Sequence, residues 1–417
     1  MAAFAGANPV PSIADLSTTV ALAASRADYA VRHRAEKVLA VLAGEMNSAN
    51  RQAWADALWS AATMNDRGPE VRAGMERLMM GVEALDAPAR LVVMRSVYTL
   101  YPGEYTAFAT QMLTLAQDPR TLAMAGHYLL AADREKYAPA VKRALETRGA
   151  EWPGDARLEW LAHRATISAL AETTLKRPPL ADLLAAPLRP GLPVVYSIQR
   201  VDRRQPGLAI VRQPDGRFRR NPDGTLFAVG QLAMARTNMP GTITFGNTPQ
   251  GIFTVRGSGI ARNQWIGPTP YLYSKVPFEA TVPQFLHDPA ASGDWTEDVY
   301  TQLLPASWQG YFPMREAWLA GKAGRSEMLM HGTTISPDHY RSETYWPFTP
   351  SAGCLCTLEF WSPEDGRLLH SDQLALLRAF LDGTDGNGYL VVVEIDANLR
   401  PVTIGDIIED VLAAEAR

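Results

Sequence analysis

The chain has 417 residues, a formal net charge of −4 and two cysteines, so it is long enough for two or three hydrophobic cores and too poor in sulfur for a disulfide framework. Hydrophobic residues make up 47% and charged residues 20%, a balance ordinary for a folded chain, and no apolar run approaches the ~20 residues that cross a bilayer. No long Lys/Arg run gives a nucleic-acid footprint.

The first residues, MAAFAGANPVPSIADLST, lack a basic segment followed by an apolar one, which leaves open a cytoplasmic protein or an exported one whose signal has been removed. From about residue 17 to 187 the pattern is helical. Trp54, Ala57, Leu58 and Ala61 share one helix face, as do Val71, Met75, Leu78, Met79 and Val82, and then Tyr105, Phe108, Met112 and Leu115. Pro69, Pro88 and Pro119 precede apolar runs, where a first-turn proline lacks only an N–H that has no helical partner. Starts near 69, 88, 103, 119 and 137 give about 33 residues per helix pair, the scale of an α-hairpin repeat. An all-α solenoid-like domain over 1–187 and an ordinary helical bundle both fit, as do a concave surface for a protein partner and simple packing.

The prolines and glycine of PLADLLAAPLRPGLP break that period. Residues 188–417 then read as mainly β with a few helices, making the whole an α+β multidomain chain. Pro214-Asp215-Gly216 and Pro222-Asp223-Gly224 predict tight turns between strands. Arg212, Arg217, Arg219 and Arg220 flank them and read as a solvated hairpin. GIFTVRG, YLYSKVPF and GYLVVVEID predict further strands, 295–325 a mixed, partly helical stretch whose Trp308 and Tyr311 lean toward the core, and 371–382 a helix capped by Ser371.

Both cysteines, Cys354 and Cys356, follow the turn Pro350-Ser351-Ala352-Gly353, downstream of His331-Gly332. A thiol with a pKa near ~8.5 becomes a useful nucleophile when an imidazole or other positive charge favours the thiolate. His331 at a strand end supplies the imidazole, and Gly332 lets the chain turn away after it. Ser351 is expected to hold the turn by bonding to the main chain, and the N–H groups of Gly353 and Cys354 to converge as an oxyanion hole. Two alternatives stand beside this one. His331 and the cysteines are structural, or Cys354, Cys356, His331 and His339 bind zinc, although Cys-x-Cys and His-x7-His suit a tetrahedral site poorly.

His331-Gly332-Thr333 followed by Ser351-Ala352-Gly353-Cys354 resembles the His-Gly-Thr and Ser-x-Gly-Cys signature of the L,D-transpeptidase, or YkuD-like, catalytic domain. NTPQGIFTV, about 80 residues upstream, is similar to that family's Thr-Pro-x-Gly-x-Phe strand, with Thr248, Pro249, Gly251 and Phe253 in matching places. The resemblance covers about 190–405. It implies a β-sandwich-like domain of the cell envelope or periplasm, in cell-wall biogenesis and cell shape, acting on peptidoglycan stem peptides without cofactor or metal. Cys354 attacks a diaminopimelate carbonyl with His331 as base, and an amine resolves the thioester. Water as acceptor, giving an L,D-carboxypeptidase or amidase, and a non-catalytic envelope scaffold are the alternatives. The family usually has Arg where Cys356 stands, and stricter members have His where Ala352 stands. Arg341 is a candidate for the substrate carboxylate, and Tyr340, Tyr345 and Trp346 either line a substrate groove or pack the loop down.

Overall fold

The computed structural model describes residues 10–167 and 177–417. They form two compact units, and each is discontinuous in sequence. One takes in the described parts of Met1–Ala23 and Lys176–Met234 with Asn247–Arg417, and the other comprises Ala24–Leu175, as far as described, and Ala235–Gly246.

The second unit is helical. Helices Pro69–Met80, Ala87–Leu100 and Pro119–Ala132 begin at the expected prolines, and Asp86 and Asp118 accept N–H groups of Ala89 and Thr121 as caps. Such a cap contributes about 1 kcal/mol. Two starts differ from expectation. Gly103 adopts φ +77°, so a turn delays the next helix to Thr106, and Asp133 caps a helix that begins at Arg134, ahead of the expected position 137. The core of this unit includes Trp54, Met75, Val93, Met112, Leu129 and, from the far segment, Met239 and Ile243.

In the other unit the strands are β1 (Val194–Arg200), β2 (Gly207–Arg212), β3 (Ala228–Leu232), β4 (Gly251–Gly259), β5 (Tyr271–Lys275), β6 (Met328–His331), β7 (Leu355–Thr357), β8 (Glu359–Trp361), β9 (Leu368–Ser371) and β10 (Asn387–Asp396). Among the described residues, eight of them close a barrel in the order β1-β10-β4-β5-β6-β7-β3-β2, and β8 and β9 form a separate hairpin. A closed barrel replaces the expected sandwich because β1 pairs in parallel with β10, which joins the two ends of the sheet. Leu16 and Ala21 pack in this unit, whose N-terminal strip bonds to the β8–β9 region through Thr18 N–H to Gly366 O and Leu368 N–H to Leu16 O. Position 187/188, the expected boundary, lies within the segment Lys176–Met234.

Residues from one side of every barrel strand meet in a single cluster with helix Asp372–Leu381, among them Val195, Phe253, Leu272, Met330, Leu355 and Phe380. Ser371 caps that helix as expected, accepting the Leu374 N–H. Both Pro-Asp-Gly turns form, with Gly216 and Gly224 at positive φ. Of the four flanking arginines, Arg219 pairs with Asp382 and Arg220 with Glu415. Trp308 is fully buried.

The membership of Ile243 in the helical core gives a direct test. Ile243→Ala should cost about 2–5 kcal/mol, read as a lower urea midpoint of the helical circular-dichroism signal. A loss below about 0.5 kcal/mol would show that the segment does not belong to that core.

Candidate active site

Strand alternation decides which side chains share a surface. Met330 and Leu355 point into the barrel cluster, so His331 and Cys356, their neighbours, point outward. β6 and β7 run parallel with Met330 opposite Leu355 and His331 opposite Cys356. Cys354, on the other side of Leu355, lies two residues along the same outward side. The imidazole therefore shares a row with Cys356, and its Nε2 stands 3.9 Å from that sulfur. The backbone of Cys354 lies two residues before Cys356, about 6.6 Å of extended chain, and its sulfur contacts the Glu327 carbonyl at 3.6 Å. The register thus brings His331 beside Cys356, with Cys354 two residues before it in the chain. Cys356 is 1% exposed and Cys354 is partly exposed.

His331 Nδ1 meets the carbonyl of Gly332. A carbonyl only accepts, so Nδ1 carries the proton and Nε2 turns its lone pair to the sulfur side. Gly332 is required by close approach, since a Cβ there would stand 2.0 Å from the carboxyl carbon of Glu359. That carboxyl accepts the Ser371 hydroxyl at 2.7 Å. Burial pushes its pKa up to about 7, opposed by hydrogen bonds of which the Ser371 hydroxyl is the largest. The next residue, Thr333, is pinned by its hydroxyl to Trp265 O at 2.9 Å and by Trp361 Nε1, which donates to its carbonyl at 3.1 Å.

Around Cys354 three segments are tied in a ring. Ser351 Oγ donates to Cys354 O at 2.8 Å and accepts the Gly353 N–H at 2.9 Å, so Ser351 bonds back to the main chain. The Gly353 N–H, one of the two expected oxyanion donors, is bonded within the turn in this structure. Gly353 has φ +123°, a conformation that a side chain rarely tolerates. Its carbonyl accepts the hydroxyl of buried Thr248 at 3.0 Å, which links the two sequence motifs. Next to Thr248, the carbonyl of Asn247 accepts Arg325 Nη1 at 2.8 Å. Arg325 leads by two residues to Glu327, whose carbonyl completes the ring at the Cys354 sulfur. Glu327 has φ +58° and donates its N–H to Glu279 at 3.1 Å, so a strained peptide is held against the thiol by a carboxylate.

The loop residues divide. Tyr340 and Tyr345, 1% and 4% exposed, pack with Leu232, Met234 and Ile335, so they hold the loop down rather than line a groove. Trp346 is 43% exposed with the Arg341 guanidinium 5.4 Å over its ring, and Arg341 also pairs with Asp338 at 2.5 Å. Among the described residues no group of three or more His, Cys, Asp or Glu side chains is arranged to hold a metal ion, and both cysteines are free thiols. Sequence reasoning missed Arg325, Glu327, Glu279 and Glu359. A buried charge among apolar residues, as in GRSEMLMHG, was the one signal for the first two, and Glu359 after the Cys-x-Cys carried a similar one.

Gly332→Ala should destabilise by at least ~1–3 kcal/mol through overpacking, and adding Glu359→Ala should recover part of that loss, measured by urea denaturation. Glu359 also predicts a pH slope. Its folded pKa, about 7, lies above the unfolded value of 4.5, so its contribution is fully present below pH 4.5 and is lost as pH rises through 7. Glu359→Gln should flatten the stability difference between pH 5 and pH 8; an unchanged difference would contradict this account. No protein-family model, no curated protein and no solved structure matches the chain.

Proposed function

We propose that the protein is a cysteine acyltransferase of the L,D-transpeptidase kind, acting on peptidoglycan stem peptides in the cell envelope. The observation that carries the reading is the bond from Thr248 Oγ1 to the Gly353 carbonyl. It joins the Thr-Pro-x-Gly-x-Phe segment to the turn bearing Cys354, the two separate stretches that resemble that family. The outward row of His331 and Cys356, with Cys354 one pleat away, supplies the other chemical groups.

In this reading the reactive form is a thiolate at Cys354 with a proton on His331 Nε2, the same proton count as thiol and neutral imidazole. The sulfur attacks the diaminopimelate carbonyl of a donor tetrapeptide. An S–C bond forms, the C–N bond to D-alanine breaks, and the departing amine takes the imidazolium proton. An acceptor amine then attacks the thioester and gives a proton back to the imidazole, and the S–C bond breaks to restore the thiolate. His331 Nε2 also lies 3.9 Å from the Cys356 sulfur. Cys354 contributes its own N–H to the oxyanion, while Gly353 shapes the turn. Arg341 and Trp346, the two loop residues of the predicted substrate set that reach solvent, stand as the substrate-binding candidates, with Arg341 offered to a carboxylate. The helical unit is left for an envelope protein partner.

Two measurements test the reading. Incubation with a carbapenem should give a mass adduct that disappears in Cys354→Ala; an adduct kept there but lost in Cys356→Ala would transfer the nucleophile to Cys356, and none in the parent chain would favour a scaffold. Tetrapeptide muropeptides should yield cross-linked dimers, and tripeptides alone would make the enzyme a hydrolase.

A further inference from the structure

The outward side of the sheet continues from β6 onto β5, where Tyr273 stands opposite Leu329. Leu272, Val276 and Met330 belong to the barrel cluster, so alternation turns Tyr271, Tyr273, Lys275 and Leu329 outward with His331. The Tyr271 and Tyr273 rings meet edge to face at 6.4 Å, as neighbours on one side of a strand do. Hydrogen bonds tie this stretch to the thiol. The Glu327 carbonyl contacts the Cys354 sulfur at 3.6 Å, the N–H of the same residue donates to Glu279 Oε1 at 3.1 Å, and the Tyr273 hydroxyl donates to that oxygen at 3.3 Å. Lys275 ends the surface. Its Nζ lies 5.0 Å over the Tyr273 ring, and among the described residues it has neither a hydrogen bond nor an ion pair.

We infer that Lys275 is a specificity-determining residue that receives the C-terminal carboxylate of the peptide attacked at Cys354, with Leu329 and Tyr273 as the floor between them. The inference rests on the proposed function for Cys354 as the nucleophile and for a peptide acid as the substrate. In that reaction the departing D-alanine is the terminal residue, so its carboxylate lies one residue beyond the attacked carbonyl. β5 lies two strands from β7, about 10 Å across the sheet, a span that one peptide residue and a lysine stem bridge together. Leu329 and Tyr273 are both partly exposed, so the floor is open to a ligand. The two acidic neighbours leave the ammonium available. Glu279 Oε1 already takes two donors and its Oε2 takes the Val276 N–H at 3.3 Å, while burial pushes this carboxyl toward its neutral form. The Glu327 side chain is exposed, where water and salt screen its charge. The second carboxylate of diaminopimelate is left to Arg341.

The test compares two thiol reagents that differ only in charge, N-iodoacetyl-D-alanine and N-iodoacetyl-D-alaninamide, each of which sets the alanine one residue beyond the bond to sulfur. The readout is the ratio of their alkylation rates at Cys354, assigned by tandem mass spectrometry and normalised to the same ratio on 2-mercaptoethanol. In the parent chain the acid should react faster by about threefold or more, the scale of a partly exposed ion pair, and added salt should shrink the preference. Lys275→Gln should bring the ratio close to unity, and Lys275→Arg should keep most of it, which a purely structural role would not predict. A parent ratio at or below unity overturns the inference whatever the variants do, and so does an unmoved ratio in Lys275→Gln or a Cys354 that neither reagent labels. Because the reagents need no wall substrate, a charge preference without transpeptidase products would sink the proposed function and leave the role of Lys275 intact, whereas cross-linked dimers with a flat ratio would sink the role of Lys275 alone.

Discussion

The parallel contact of β6 with β7 is the constraint on which the site depends. The two strands are short, and their pairing is reinforced from inside. Gln373, fully buried, donates to Met330 O at 2.9 Å and to Pro270 O at 3.1 Å, and accepts the Thr357 hydroxyl at 2.9 Å. One amide therefore clasps a carbonyl of β6 and a side chain of β7. A slip of one residue would exchange inward and outward positions along a strand, sending His331 or Cys356 into the apolar interior that Met330 and Leu355 now fill. Retention of the register and formation of the imidazole–thiol row are one event.

Strain and buried charge gather at the same place. Glu327 and Gly353 both have positive φ, on the two segments that bracket the Cys354 sulfur. Such conformations persist where surrounding bonds over-determine them: Glu279 holds the first, and Ser351 with Thr248 holds the second. Further along, the Glu359 carboxyl presses on the peptide after His331. These contacts restrict the motion of the backbone on both sides of the Cys354 sulfur.

Local signals carried much of the fold. Pro69 and Pro119, the Asp-Gly turns and the Ser371 cap act within a few residues of themselves, and each stands where its chemistry requires. Helix starts that depend on a less visible punctuation, Gly103 and Asp133, shifted by about three residues. Closure of the barrel was not legible, because it depends on β1 meeting β10 across nearly the whole unit. At the site, the spacing of His331, Ser351, Gly353 and Cys354 pointed to one neighbourhood, but which sulfur faces the ring is a matter of strand register. The aromatics Tyr340 and Tyr345 have the same composition whether they cover a groove or a core, and only their burial decides it.

The two units exchange chain in both directions: a strip before residue 24 is laid into the barrel unit, and the segment Ala235–Gly246 leaves it to complete the helical core before the chain returns at Asn247. Neither unit can be detached by a single cut, so shuffling of the helical part as a terminal cassette is blocked by topology. The return at Asn247 also leads straight into the residues that hold Arg325 and Gly353. The segment that completes the helical core is thus followed directly in the chain by the residues that surround the thiol.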